Sequence, residues 1–85
     1  MRRSDQAQPA LGKAIRQLRQ EREMTQEALA HVAGVTVSHL STIERGHSNP
    51  TWATVKAIAA ALGVSLVELA PIVHQALASN VGKQK

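Results

Sequence analysis

Cysteine is absent from the chain, as are phenylalanine and tyrosine, and Trp52 is the only aromatic residue. Without cysteine there can be no disulfides and no thiolate metal ligands, which fits a reducing, cytoplasmic setting. Binders of RNA and single-stranded DNA stack bases on several aromatic platforms. One tryptophan cannot build such a platform, so a nucleic-acid partner would be duplex DNA. No run of about 18 apolar residues is present, so no membrane span is expected. The polar stretch from Met1 to Pro9 lacks the apolar segment of a signal peptide. No glycine-rich phosphate loop occurs, and no enzymatic activity or cofactor is expected. His31, His39, His47 and His74 are widely spaced, with no cysteine or carboxylate cluster beside them, so no metal site is expected either.

The 85 residues amount to one domain, too short to hold a separate effector-binding unit. Acidic residues are outnumbered 10 to 6 by Lys and Arg, for a formal charge of +4. Much of the excess lies early, in Arg2, Arg3, Lys13, Arg16, Arg19 and Arg22 against Asp5 and Glu21. A basic balance points to an anionic partner, of which nucleic acid is the commonest; a solvated basic helix with a loose tail would read the same way.

Helical periodicity recurs along the chain, and no strand pattern competes with it. Leu11, Ile15 and Leu18 set a first helix over about 10–21, with Pro9 suited to its first position and Gly12 weakening its first turn. Thr25 is placed to cap a second helix, whose apolar side is Ala28, Leu29, Val32 and Ala33 and whose stop is Gly34. Only Val35 separates Gly34 from the next cap, Thr36, so a very tight turn leads into a third helix over about 37–45, ending at Gly46. The run His47-Ser48-Asn49-Pro50 is a loop by composition. Thr51 caps a fourth helix carrying Trp52, Val55, Ile58, Ala59 and Leu62, with Gly63 as its stop. Ser65-Leu66-Val67-Glu68 has the form of a capping box and predicts a fifth helix, which Pro71 would kink or break. The expected fold is an all-α, compact five-helix bundle. Its domain occupies 10–78, between a flexible basic arm (1–9) and a frayed polar tail (79–85).

The third helix has two unlike sides. At about 100° per residue, Ile43 and Glu44 fall near Leu40 on the core side, and Ser38 and Thr42 fall opposite with Arg45 close by. Ser41 and His39 flank them. Hydroxyls donate and accept, so they suit base edges or phosphates, and arginine can grip phosphate or guanine with two prongs. An ordinary solvated face is the plain alternative, but the long Lys and Glu side chains usual on such a face are missing here.

The run MTQEALAHVAGVTVSHLSTIERGHSNPTW, from Met24 to Trp52, resembles the phage repressor and Cro type of helix-turn-helix, the XRE-like family. The likeness extends from about Leu11 to Leu69, through IRQLR in the first helix and IAAALGVSLVEL at the end. The resemblance implies a lambda-repressor-like bundle whose second helix crosses the DNA backbone while the recognition helix, 36–45, enters the major groove. By position, Thr36, Val37, Ser38, Ser41 and Thr42 would contact bases. Gln26, Arg45, Thr51 and Trp52 would contact phosphate, the last two at a helix N-terminus that favours an anion. Arg19 and Glu44 match a partly buried ion pair of structural role. Two positions depart from the family: Val37 stands where a polar residue often reads a base, and can touch only a thymine methyl, and His47 stands where Lys or Arg is frequent.

The function implied is sequence-specific binding of double-stranded DNA by a small prokaryotic transcriptional regulator, a repressor, in the cytoplasm with the nucleoid. A protein-interaction adaptor on the same fold is the rival reading. Within the DNA-binding class the residues leave open a stand-alone repressor, an antitoxin with a toxin partner, or a restriction–modification controller. One recognition helix reads few base pairs, so a homodimer on a palindromic operator is expected. Beyond Pro71 the apolar stripe Ile72, Val73, Ala76 and Leu77 has no further helix to pack on and marks the expected dimer interface, unless it folds back on the first helix. Leu66 and Leu69 would belong to the monomer core.

Overall fold

Three threonines start three of the helices by the same device. In the computed structural model, which describes residues 9–65 and 68–69, each has extended backbone angles and a hydroxyl that accepts an N–H three residues ahead. Thr25 Oγ1 accepts from Ala28 N (3.0 Å), Thr36 Oγ1 from His39 N (3.0 Å) and Thr51 Oγ1 from Thr54 N (3.1 Å). Each cap satisfies a donor that the helix itself cannot. The elements are α1 (Pro9–Glu21), α2 (Gln26–Ala33), α3 (Val37–Glu44) and α4 (Trp52–Leu62).

The turn between α2 and α3 is closed by Gly34 at φ 77°, a left-handed conformation that costs a glycine little. Gly34 N and Val35 N both donate to the Ala30 carbonyl, at 2.9 and 3.0 Å. Three residues, Gly34 to Thr36, thus separate α2 from α3. At the end of α1 the same left-handed conformation falls to Glu23, at φ 54°, which the sequence pattern does not flag.

Ile15, Leu29, Leu40, Ile43 and Ile58 are fully buried, one or two from each helix. Ala14, Leu18, Ala30, Val55, Leu62 and Leu69 complete the core. Helix α1 packs on α3, and α2 packs on α4 and α3. The approach of α1 to α3 depends on Gly12. It is buried, and a Cβ built on it would overlap the Ile43 carbonyl oxygen and come within 3.0 Å of the Glu44 carbonyl oxygen. The residue expected to weaken the first turn is therefore what lets two backbones touch.

Three expectations are corrected. The first concerns the fold: among the described residues there are four helices, not five. The capping box does form, with Glu68 N donating to Ser65 Oγ (3.1 Å) and Ser65 N to Glu68 Oε1 (2.9 Å). Leu69 N reaches the Ser65 carbonyl at 3.0 Å, and Leu69 is buried. A capping box marks where a helix can begin, and of the residues after Ser65 only Glu68 and Leu69 are described, both helical. Leu66, the dimer stripe at Ile72, Val73, Ala76 and Leu77, and the arm and tail (1–8 and 79–85) lie outside the described residues.

The second concerns α2, whose buried residues are Leu29 and Ala30, while Val32 is 62 % exposed. The third is Trp52, counted with the apolar side of α4 but 66 % exposed. Both residues are apolar in composition and outward in place, because the core side of each short helix is already filled by its neighbours.

Candidate nucleic-acid interface

Helix α3 is held from beneath by an ion pair. Glu44 lies under the helix with its side chain 3 % exposed, and Arg19 of α1 reaches it with 12 % exposure. The contact is two-pronged, Arg19 Nε donating to Oε2 at 2.7 Å and Nη2 to Oε1 at 3.0 Å. Arg19 Nη1 also donates to the Met24 carbonyl at 2.8 Å, in the turn before α2. The hydrogen bond to Glu44 raises the guanidinium pKa above its ordinary value, more than burial lowers it. Arg19 therefore stays charged at every accessible pH, and the pair has no titrating switch on the arginine side.

Gln26 is the third member of this group. Its Nε2 donates to Glu44 Oε1 at 3.0 Å. A carboxylate can only accept, so the nitrogen, not the oxygen, of the amide must face it. Three helices thus converge on one carboxylate: α1 through Arg19, α2 through Gln26, and α3 which carries it. Gln26, expected at phosphate, is half-buried and has one of its two amide hydrogens committed to this anchor.

The outer side of α3 carries the remaining groups. Val37, Ser38, His39 and Arg45 are exposed, and Ser41 and Thr42 are half-buried. Two columns run along it at the i, i+4 spacing that stacks helix neighbours: Val37–Ser41–Arg45 and Ser38–Thr42. Arg45 caps the helix and folds back along the first column, Nη1 donating to Ser41 Oγ at 2.9 Å. Thr42 Oγ1 donates to the Ser38 carbonyl at 3.0 Å in the second. Thr36, also expected at a base, sits at the helix start with its hydroxyl engaged as the cap.

At the start of α4, Thr51 Oγ1 is likewise engaged, with Thr54 N and Thr54 Oγ1. The N–H groups of Trp52 and Ala53 lie in the first turn, where a helix supplies no internal acceptor. A helix start of this kind favours an anion, and the Trp52 side chain beside it is exposed.

The structure also shows that one early arginine, although exposed, is engaged within the chain. Arg22 Nε donates to the Leu62 carbonyl at 2.7 Å and Nη1 to the Leu18 carbonyl at 3.3 Å. It closes the C-terminal end of α4 and ties it to α1, a role that charge counting misassigns to a partner. Lys13 and Arg16 remain as exposed cations of α1. His31, His39 and His47 are exposed, and among the described residues no three of His, Cys, Asp and Glu converge as metal ligands. Also among the described residues, no helix is long and apolar enough to cross a membrane.

Comparison with known proteins agrees with this geometry. A helix-turn-helix family model matches residues 15–69. An HTH-type transcriptional regulator of Sinorhizobium fredii, y4dJ, is 44 % identical over 59 residues, which make up 69 % of this chain and 77 % of that protein. The immunity repressor of Bacillus phage phi105 is 41 % identical over 56 residues, 66 % of this chain but only 39 % of the repressor. The chain thus spans well under half the length of that phage protein. Among solved structures, the clp gene regulator ClgR from Corynebacterium glutamicum superposes with a TM-score of 0.87 at 26 % identity, covering 91 % of this chain and 82 % of ClgR. The restriction–modification controller protein C.Esp1396I, solved as a tetramer with its natural 35 base-pair operator, does so at 0.76 and 29 % identity, covering 80 % and 90 %. The chain belongs to the helix-turn-helix family of DNA-binding transcription regulators.

Proposed function

We propose that this chain binds duplex DNA sequence-specifically with α3 in the major groove, and acts as a transcriptional repressor without enzymatic activity. The observation that carries the reading is the division of α3. Its inner side is anchored through Glu44 to two other helices, while its outer side offers small polar groups and one arginine to solvent. A helix must be held rigidly to read base edges, and small side chains let it enter the groove deeply. Gln26 Nε2 and the first turn of α4 flank it as phosphate contacts, which position the domain on the backbone.

One such helix addresses few base pairs. A homodimer on a palindromic operator, with half-sites about 34–36 Å apart, solves that problem, and C.Esp1396I is a relative that meets its operator as an oligomer. A cytoplasmic location follows from a chromosomal target. A toxin partner is a further possibility of this class, carried by no residue of the described domain.

The test is binding of a fluorescent random-sequence duplex across a salt series, followed by selection from a randomised library. Binding should weaken with salt, by about 0.9 in log–log slope per phosphate neutralised, and selection should return a two-fold symmetric motif. Salt-independent or absent duplex binding would refute the reading.

A further inference from the structure

Resting on that reading, the hydrogen bonds within α3 fix what kind of base edge Thr42 can recognise. We propose that Thr42 acts as a hydrogen-bond acceptor for the exocyclic amino group of adenine or cytosine, and is a specificity-determining residue of the half-site.

A free hydroxyl can turn either way, donating to a base carbonyl or accepting from a base amino group. The Thr42 hydroxyl is not free. It lies 3.0 Å from the Ser38 carbonyl, and a carbonyl oxygen can only accept, so the single hydroxyl hydrogen points back along the helix. This i−4 bond is one of the two arrangements a helical threonine adopts, and the branched side chain holds it there. What Thr42 Oγ1 can still offer to the groove is lone pairs. In the major groove the matching groups are adenine N6 and cytosine N4, each with one hydrogen left over after base pairing. To donate to guanine O6, thymine O4 or a purine N7, Thr42 would first have to give up its bond to Ser38.

Its neighbours are polarised the other way. Ser41 Oγ accepts from Arg45 Nη1 at 2.9 Å, so the Ser41 hydrogen remains available, as do the other N–H groups of Arg45. The column Val37–Ser41–Arg45 therefore presents methyls and donors, and Thr42 beside it presents an acceptor. The helix face has a chemical polarity that the residue names alone do not show, since serine and threonine are interchangeable in that respect until their hydrogens are placed.

The net worth of one such bond sets the size of the effect, about threefold to tenfold in affinity. The experiment starts from the motif selected by the full-length wild-type chain and by Thr42→Val, which keeps the shape and removes the hydroxyl. One base pair should lose its preference in Thr42→Val. At that pair the wild type should tolerate A·T and C·G in one orientation and reject T·A and G·C. Two base analogues then identify the atom. With adenine there, 2′-deoxynebularine removes the amino group and 7-deazaadenine removes N7; with cytosine, 2-pyrimidinone and, opposite it, 7-deazaguanine do the same. Amino deletion should cost the wild type about threefold to tenfold and Thr42→Val nothing further, while loss of N7 should affect both proteins equally. Thr42→Ser, which keeps the hydroxyl but lacks the branch that holds it, should still bind the preferred pair, with a weaker preference. Coupling of Thr42 to N7 rather than to the amino group would overturn the proposal, as would a Thr42→Val motif identical to the wild type. Failure of the wild type to bind any duplex would instead remove the DNA-binding reading, and this inference with it.

Discussion

The two sides of α3 differ in how their residues are constrained. On the inner side Leu40 and Ile43 are fully buried and Glu44 is gripped by groups from two other helices. On the outer side the side chains of Thr42 and Arg45 bond within the same stretch, Thr42 to the Ser38 carbonyl and Arg45 to Ser41. The inner contacts decide where the helix is, and the outer contacts decide what it offers. Substitutions should separate the two: inner changes should cost stability and, through it, all binding alike, whereas outer changes should leave the fold intact and alter binding alone.

The largest effect is expected at Glu44. Glu44→Ala leaves Arg19 buried and charged with no carboxylate, a loss of about 3–5 kcal/mol in denaturant melting. Arg19→Ala should be similarly costly, and the double variant little worse than either single one. A double-mutant cycle that came out strictly additive would dismiss the pair as a unit.

Gly12→Ala comes next. In an isolated helix the change would favour folding by about 1 kcal/mol. Here the added methyl meets the Ile43 carbonyl, so we expect a net loss of about 1–3 kcal/mol as α1 is pushed off α3. A gain in melting temperature would show that the two backbones are not in contact.

On the outer side, Arg45→Ala and Ser38→Ala should leave the folding stability within about 0.5 kcal/mol of wild type. Ser38→Ala should change the selected motif, with about 1–3 kcal/mol at a well-made base contact. Arg45→Ala should weaken all sequences alike and lower the salt slope by about one. If the Ser38 variant selects an unchanged motif at unchanged affinity, α3 is not the reading helix.

The smallest effect is a control outside α3, in the turn between α1 and α2. Glu23 occupies a left-handed conformation that costs an ordinary residue about 1 kcal/mol or more. Glu23→Gly should raise stability by about 0.5–1 kcal/mol, the relief being partly offset by glycine's greater freedom when unfolded. Affinity for DNA should not change, and a matching change in affinity would mean that stability and recognition are not separable here.

Much of the fold is legible along the chain because it is local. A threonine cap acts on an N–H three residues away, and a glycine stop acts on its own turn. The bounds of α2, α3 and α4 follow from Thr25, Gly34, Thr36, Thr51 and Gly63. The division of α3 follows from the 100° helix step, and the resemblance to the repressor family pairs Arg19 with Glu44. The fifth helix failed this test because a capping box reports only where a helix could begin. Val32 and Trp52 failed it because apolar character does not say which side of a short helix faces the core.

What the sequence by itself determined, then, is where α1 to α4 stand and which side of α3 is free, since both depend on neighbours within a turn. Only the tertiary structure decided how the charges and donors are spent. Arg19 meets Glu44 across 25 residues and Arg22 meets Leu62 across 40, so two arginines counted toward an anionic partner are consumed inside the domain. Gln26 is drawn into the anchor because α2 brings it within 3.0 Å of a carboxylate on α3. Gly12 is indispensable because α3 lies against it. Such contacts depend on distance through space, and separation along the chain does not set that distance until the helices have packed.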